Sequence, residues 1–576
     1  MCGILGCTPG NPRFGHALET IRHRGPDMGG ESRDGFDLGF NRLAIIDTAE
    51  RANQPMWDSE HKLCIVFNGE IYNFQELKRD LEKEFHFTTA SDTEVLLYGH
   101  KKYGAAFAKK LRGMYAYAVY DSSAQTVTVV RDHAGIKPLY YFFDDTTFAF
   151  ASEMKALVAL MRDSKSPEID HDAIRLFWAF GYIPSPKTQY KNFFVLPRSS
   201  FLTFDISSKE ISITGYNIDT QPVTTEHDLF DLIEKKVIDH LVADVPVGLF
   251  FSGGTDSTVI ANTLKKNNQP LETFSIRVAG RPGDEPYFRA LSTELGLNSH
   301  VYDFGPSDFN EIYDDVMGKM DIPLVDTAIF PTYFVSKKAR EKVTVVLSGE
   351  GGDELFFGYP RQQKLRAMRT MLDAQLTTID KAANFLPHFP GRNRILTSLQ
   401  AHYEPISFYL REMSPVRAFL TNEFLAPAKR FVAENARDPL YFDRDLYLEN
   451  MLLRKTDLAT MFNSLEGRVP LLDPDIIASA SHFESSYDGI ELKPLLKKML
   501  KRDLPHELVY RKKSGFGMDL SVVLGQSDSF LRDLTAALEY FRCSDVPAPH
   551  FPDQKALRDR ANAAFAIVAL YRALTC

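Results

Sequence analysis

Through the first part of the chain, up to about Gly215, apolar residues either alternate with polar ones or run unbroken in short stretches. "FDLGFNRLAIID" and "KLCIVFNGEIYN" are rich in β-formers and end at polar turns, which predicts strands. "MYAYAVYD" alternates with a period of two, and "TVTVVRDH", "PLYYFFDD" and "TFAFASE" follow at short intervals. Two helical stretches interrupt them. One is "NFQELKRDLEKEF" from Asn73; the other is "SDTEVLLYGHKKYG", where Ser91 and Glu94 predict a capping box. Many strands with few helices predict an α+β unit of stacked antiparallel sheets with helices outside.

The rhythm lapses in "GYNIDTQPVTTEHD", from Gly215 to Asp228, which is polar and aperiodic and reads as a linker. It divides the chain into domains at 1–215 and 228–576. Beyond it strands and helices alternate. "VPVGLFF" and "LETFSIRV" each precede a helix, and "KVTVVLSG" follows the helix around "PTYFVSKKAREK". That order predicts a parallel sheet with crossover helices. After about Arg361 the chain reads as largely helical, and "KALRDRANAAFAIVALYRAL" predicts a closing amphipathic helix with a packing role.

A length of 576 residues exceeds one ordinary core and agrees with two domains. Hydrophobic residues at 44% and charged residues at 25% match a soluble globular protein. The net charge of −9 argues against sequence-independent nucleic-acid binding, which needs an excess of Lys and Arg. The cysteines (Cys2, Cys7, Cys64, Cys543 and Cys576) form no CxxC pair and no zinc spacing, which suits a reducing compartment. No signal peptide and no membrane span are legible, so a cytoplasmic protein is expected.

The stretch "VGLFFSGGTDSTVIA" raises the first chemical question. A buried strand stops at a small polar loop just before a helix. In a parallel sheet, ligands sit at the carboxyl ends of strands, where the next helix offers unpaired N–H groups. Gly253 and Gly254 let backbone approach a ligand, and Ser252 and Ser257 add hydroxyls, so the loop suits a phosphate chain. It is not GxxxxGK[ST]. A turn capped by Ser and Asp is an equally good reading of the loop alone. "VTVVLSGEGGDELFFGYPR" repeats the device, with Ser348, Gly349, Glu350, Asp353 and Glu354 after a β-branched strand. Two strand tips facing one crevice would let Asp256 and Asp353 share a Mg²⁺ brought by ATP.

With "SGGTDS", "SGEGGDE", "LEGRVPLLD" and "RKKSGFG" in this order, the chain resembles the glutamine-hydrolysing asparagine synthetases. Their synthetase domain is an N-type ATP pyrophosphatase. The resemblance covers nearly the whole chain, and the N-terminal motifs "HRGPD", "NRLAIID", "FNGEIYN" and "SDTEVL" stand where the family carries an N-terminal nucleophile (Ntn) glutaminase. It implies that Cys2, freed by removal of Met1, attacks the glutamine amide with its own α-amine as base. An α-amine with a pKa of about 7.7–8.0 suits that task. It further implies an oxyanion hole from Asn68 and Gly69, and Arg42 on the glutamine carboxylate. Glu70 and Asp92 would meet the ammonium, and the backbone of Leu43, Ala44, Ile45 and Ile46 would line the pocket. In the second domain it implies Phe250, Ile276, Ser348 and Gly349 on adenosine, Glu350 as the catalytic glutamate, and Lys513 steadying phosphate charge. Lys493 is a second candidate for that last role. Glu354, Glu466 and Arg468 are candidates for the acceptor pocket, with a structural ion pair as the alternative for Glu466 and Arg468.

The two halves then make one enzyme: one releases ammonia, and the other joins AMP to a carboxylate so that ammonia can displace it. The implied partners are small molecules: glutamine, ATP and a carboxylate acceptor. A homodimer is left open. Four positions depart from the family's usual residues: Thr255 for Leu, Phe357 for Gly, Gly467 for a β-branched residue or Ala, and Leu472 for Phe. The last three lie in motifs on the acceptor side, so aspartate is the acceptor the resemblance implies and a uronic acid on a nucleotide sugar is the alternative. A non-catalytic regulator is the reading from another class.

Overall fold

The structure is a computed structural model that describes residues 2–162, 167–279, 285–373, 405–436, 438, 441–487, 489–510, 526–551 and 560–575. Its N-terminal part holds two six-stranded antiparallel sheets. In the first, the strand Cys2–Cys7 lies between Phe148–Ala151 and Asp37–Arg42; in the second, Leu63–Ile71 lies beside Gly113–Asp121.

The period-two pattern explains how the sheets stack. Cys64 and Val66 join Ala116, Ala118 and Tyr120 in a core shared with Ile4, Leu38, Phe40 and Phe150 of the first sheet. Leu63, Ile65 and Phe67 belong to the other face, with Val95 and Leu96 of the helix Asp92–Tyr103. Leu5 and Cys7 pack with Phe14 and Leu157 of two outer helices. The expected helices outside stacked sheets are therefore present. The capping box is only half formed. Ser91 Oγ accepts from Thr93 N at 3.1 Å. Glu94 turns away to take the N–H groups of Thr88 (2.9 Å) and Thr89 (2.7 Å), pinning the preceding loop.

The segment read as a linker is tied down: Gln221 N donates to Asp475 and Val223 N to Ser479 Oγ. Beyond it, five parallel strands run in the order Asn298–Phe304, Glu272–Val278, Val247–Phe250, Val345–Leu347, Glu466–Arg468. The chain builds outward from Val247–Phe250 on one side, then returns to add Val345–Leu347 and Glu466–Arg468 on the other. That reversal opens a crevice at the carboxyl ends of Val247–Phe250 and Val345–Leu347. Downstream segments are mostly helical, including a π-helix, Asp443–Leu453, that runs directly into the helix Arg454–Met461. The closing helix Ala561–Thr575 differs from its predicted amphipathic form: Ala563 to Leu570 are all buried. Helices Asp528–Cys543 and Pro306–Lys319 pack against it, which explains burial beyond one stripe. Cys2, Cys7, Cys64 and Cys543 are free thiols. No described helix is long and apolar enough to cross a membrane.

Candidate functional site

Cys2 opens a central strand, and its register partner is Arg42. Its backbone N–H donates to Asn68 Oδ1 at 3.0 Å, across the two sheets. Asn68 is fully buried, yet among the described residues its Nδ2 has no hydrogen-bond partner. A buried donor left unmatched is destabilising by about 1–3 kcal/mol, so it calls for an incoming acceptor. Gly69 follows at φ +155°, where an added Cβ would strike the Met114 carbonyl. Burial pushes the Cys2 thiol up; the chain's amino terminus, the Leu43 N–H and Arg42 offset part of this. The thiol therefore needs a base before it can attack.

Arg42 is braced by its own loop, donating to Ala49 O (2.8 Å), Asn53 Oδ1 (3.0 Å), Ile46 O (3.2 Å) and Asp47 O (2.5 Å). A carboxylate could take Arg42 only by exchanging with some of these. Ala44 N is held by Asp27 Oδ2 at 2.8 Å, while Leu43, Ile45 and Ile46 are buried beside it. Glu70 and Asp92 are both buried. Burial pushes both carboxyls up, and Asp92 adds to the effect on Glu70. Two crowded carboxyls favour an added cation such as an ammonium.

The second site is a cleft of about 1320 Å³ at the strand-order reversal. Of the residues predicted for nucleotide, metal and acceptor, it gathers Phe250, Ser252, Gly254, Asp256, Ser257, Ile276, Ser348, Gly349, Glu350, Asp353, Glu354 and Lys493. Gly253 stands in the same loop at φ +67°, a conformation that favours glycine. Gly254 caps the helix Thr255–Lys266, and Ser252 Oγ accepts from Gly254 N at 3.2 Å. The loops interlock: a Cβ on Gly349 would come within 2.8 Å of Asp256 Cβ, and one on Gly352 would strike the Asp256 carboxyl.

Asp256 and Asp353 converge on one cation. Lys493 Nζ bonds Asp256 Oδ2 and lies 2.8 Å from Asp353 Oδ1. The pair fits a Mg²⁺ that keeps waters and takes phosphate oxygens, for which one or two carboxylates suffice. Among the described residues no set of three His, Cys, Asp or Glu side chains could hold a metal alone. Burial works against ionisation of Glu350, but Lys455 at 3.6 Å, Ser348 and Thr456 outweigh it and hold the carboxylate below its usual range. Glu354 behaves oppositely: burial and Asp353 push it up to about 8, and the Tyr359 hydroxyl donates to it.

Lys455 and Thr456 escaped the sequence reading. The available signal was "RKTD" set inside an otherwise apolar helical run. Arg277, Arg289 and Tyr447 also line the cleft and were missed. Lys513 lies outside the described residues. Glu466 and Arg468 need correcting as acceptor candidates. They do not line the cleft; both are fully buried and form the ion pair held as the alternative, Arg468 Nε to Glu466 Oε1 at 2.6 Å. Arg468 also reaches Glu70 at 3.2 Å, so this strand serves the boundary between the antiparallel sheets and the parallel one. Arg24 crosses the same boundary, donating to the Cys2 carbonyl (3.2 Å) and to Asp457 (2.8 Å), one residue beyond Thr456.

Comparison with known families matches residues 1–217 to the description "Glutamine amidotransferase domain" and residues 228–564 to "Asparagine synthase". "Asparagine synthetase [glutamine-hydrolyzing] 1" of Bacillus subtilis is 32% identical over 555 residues, covering 90% of this chain and 87% of that one. A putative asparagine synthetase 2 of Methanocaldococcus jannaschii is 37% identical over 395 residues, 62% of this chain and 76% of its own. Asparagine synthetase B of Escherichia coli is 32% identical over 385 residues, 62% and 65% of the two chains.

Proposed function

This chain belongs to the asparagine synthase family, and we propose that it is a glutamine-dependent ligase converting aspartate to asparagine. The observation that carries the reading is the meeting of two glycine loops over one cleft, with Asp256 and Asp353 drawn to one cation and Glu350 ionised beside them.

In this reading the N-terminal part is an Ntn-type glutaminase. With Met1 removed, the Cys2 α-amine takes the thiol proton, and sulfur attacks the glutamine side-chain carbonyl. The unmatched Asn68 Nδ2, with the Gly69 N–H, meets the oxyanion that forms. The α-ammonium returns that proton to the departing nitrogen, ammonia leaves, and water releases glutamate from the thioester. In the pyrophosphatase-type cleft an aspartate carboxylate oxygen attacks the α-phosphorus of ATP, and pyrophosphate departs. Asp256 and Asp353 would hold a Mg²⁺ that offsets phosphate charge. The loop from Ser252 to Ser257 receives pyrophosphate, with Lys493 beside it. Ammonia then attacks the acyl carbon, AMP leaves with the bonding electrons, and Glu350 takes the surplus proton.

Pyrophosphate and asparagine should appear in equal amounts with ATP, glutamine and aspartate. Running the assay with uronic-acid nucleotide sugars separates the rival acceptor. Pyrophosphate only with a sugar acid would move the assignment there, and none with any acceptor would overturn it in favour of a regulator.

A further inference from the structure

Arg468 sits on the short edge strand Glu466–Arg468 of the second domain, yet its side chain works for the first. Among the described residues, four acceptors hold it. Nη1 donates to His240 O and Val242 O, each at 2.7 Å; Nε donates to Glu466; Nη2 reaches Glu70 Oε2 at 3.2 Å. The Tyr72 ring lies 5.5 Å from the guanidinium carbon. Four fixed bonds leave this planar fork little freedom, so Glu70 is held through Oε2. Its Oε1 is buried and takes no donor from the described residues, while the Asp92 carboxyl lies against Glu70. The same residue's backbone belongs to the nucleotide side: Arg468 pairs with Leu347, and its carbonyl accepts from Ser348 N at 2.8 Å, two residues before Glu350.

We propose that Arg468 is a positioning residue for glutamine recognition, fixing Glu70 so that its open oxygen meets the α-ammonium and making that grip depend on the strand beside the ATP loop. The inference rests on the glutaminase reading above. An arginine confined to the sheet core would need no carboxylate from the other domain, and Glu466 alone would neutralise it. The contact with Glu70 instead supplies a counter-charge where two buried carboxyls crowd together.

The test is steady-state glutamate release by the full chain, with glutamine and with its analogue lacking the α-amino group. Arg468→Gln should raise KM for glutamine about tenfold with kcat little changed, the loss of one charge-assisted bond. KM for the deamino analogue should hold, and ammonia-dependent pyrophosphate release should persist. Arg468→Lys should recover part of the affinity. A wild-type KM in Arg468→Gln, equal rises for both substrates, or parallel loss of ammonia-dependent synthesis would each overturn the proposal. If the glutamine variant does not fold, Arg468→Lys carries the same comparison, because lysine keeps the charge but loses the fork. Glu70→Gln at wild-type KM would remove Glu70 from the pocket and the inference with it. An unsubstituted chain with no glutaminase activity would instead defeat the functional reading.

Discussion

Phe357 stands at φ +58° and stacks on Tyr487 with ring centroids 4.1 Å apart. The family's usual glycine would relieve a left-handed backbone worth about 1–2 kcal/mol. Removing a buried aromatic is destabilising by about 3–5 kcal/mol, so packing outweighs strain. Phe357→Gly should therefore lower stability by about 2 kcal/mol, read from denaturant midpoints, and loosen Lys493, whose N–H bonds the Phe357 carbonyl at 3.3 Å. At the other site, Asn68→Ala should cut glutaminase kcat by roughly 10²–10³ while ammonia-dependent synthesis survives. Unchanged glutamate release would remove Asn68 from the oxyanion hole. Asn68 was nameable only through a family motif; its unmatched Nδ2 belongs to three-dimensional packing and leaves no mark on one-dimensional pattern.

The interlocked loops make a sharper demand on the elements that carry them. Gly352→Ala places a methyl on the Asp256 carboxyl, so pyrophosphate release should collapse while glutamate release continues. Retained synthesis would mean the loops can part. The helix Glu226–Asp239 ends at His240, whose Nδ1–H donates to the Lys236 carbonyl at 2.7 Å. Burial, then the Arg468 and Lys236 cations, lower His240 to about 3. Folded His240 stays neutral where an unfolded histidine takes a proton, so stability falls as pH drops from about 6.5 toward 3. His240→Gln should flatten the decline in thermal midpoint between pH 7 and 5; an unchanged slope would assign it to other groups. Strand and helix order were legible because period-two and helical spacing survive in sequence. The capping box was half legible, since Ser91 obeys local geometry while Glu94 answers to a loop. Lys455 was hidden because its partner, Glu350, is remote in sequence and meets it only through the fold.

Across the whole molecule, the domain boundary is built from ions as well as apolar contacts. Asp457 receives Arg24 and lies 3.6 Å from Lys137, both from the first domain, while its neighbour Thr456 donates to Glu350. Asp457→Asn should leave each half-reaction measurable but raise the glutamine consumed per amide formed, since removing one partner leaves buried cations uncompensated. An unaltered ratio would show that the two halves keep step without it. The parallel sheet's last strand, Glu466–Arg468, has a further consequence. It is supplied more than a hundred residues after its neighbour Val345–Leu347, yet it holds the arginine on Glu70. A growing polypeptide thus presents its thiol early but lacks the counter-ion for its amino-acid pocket until most of the message has been read. Unfinished or clipped copies should therefore hold glutamine about tenfold more weakly than the finished chain.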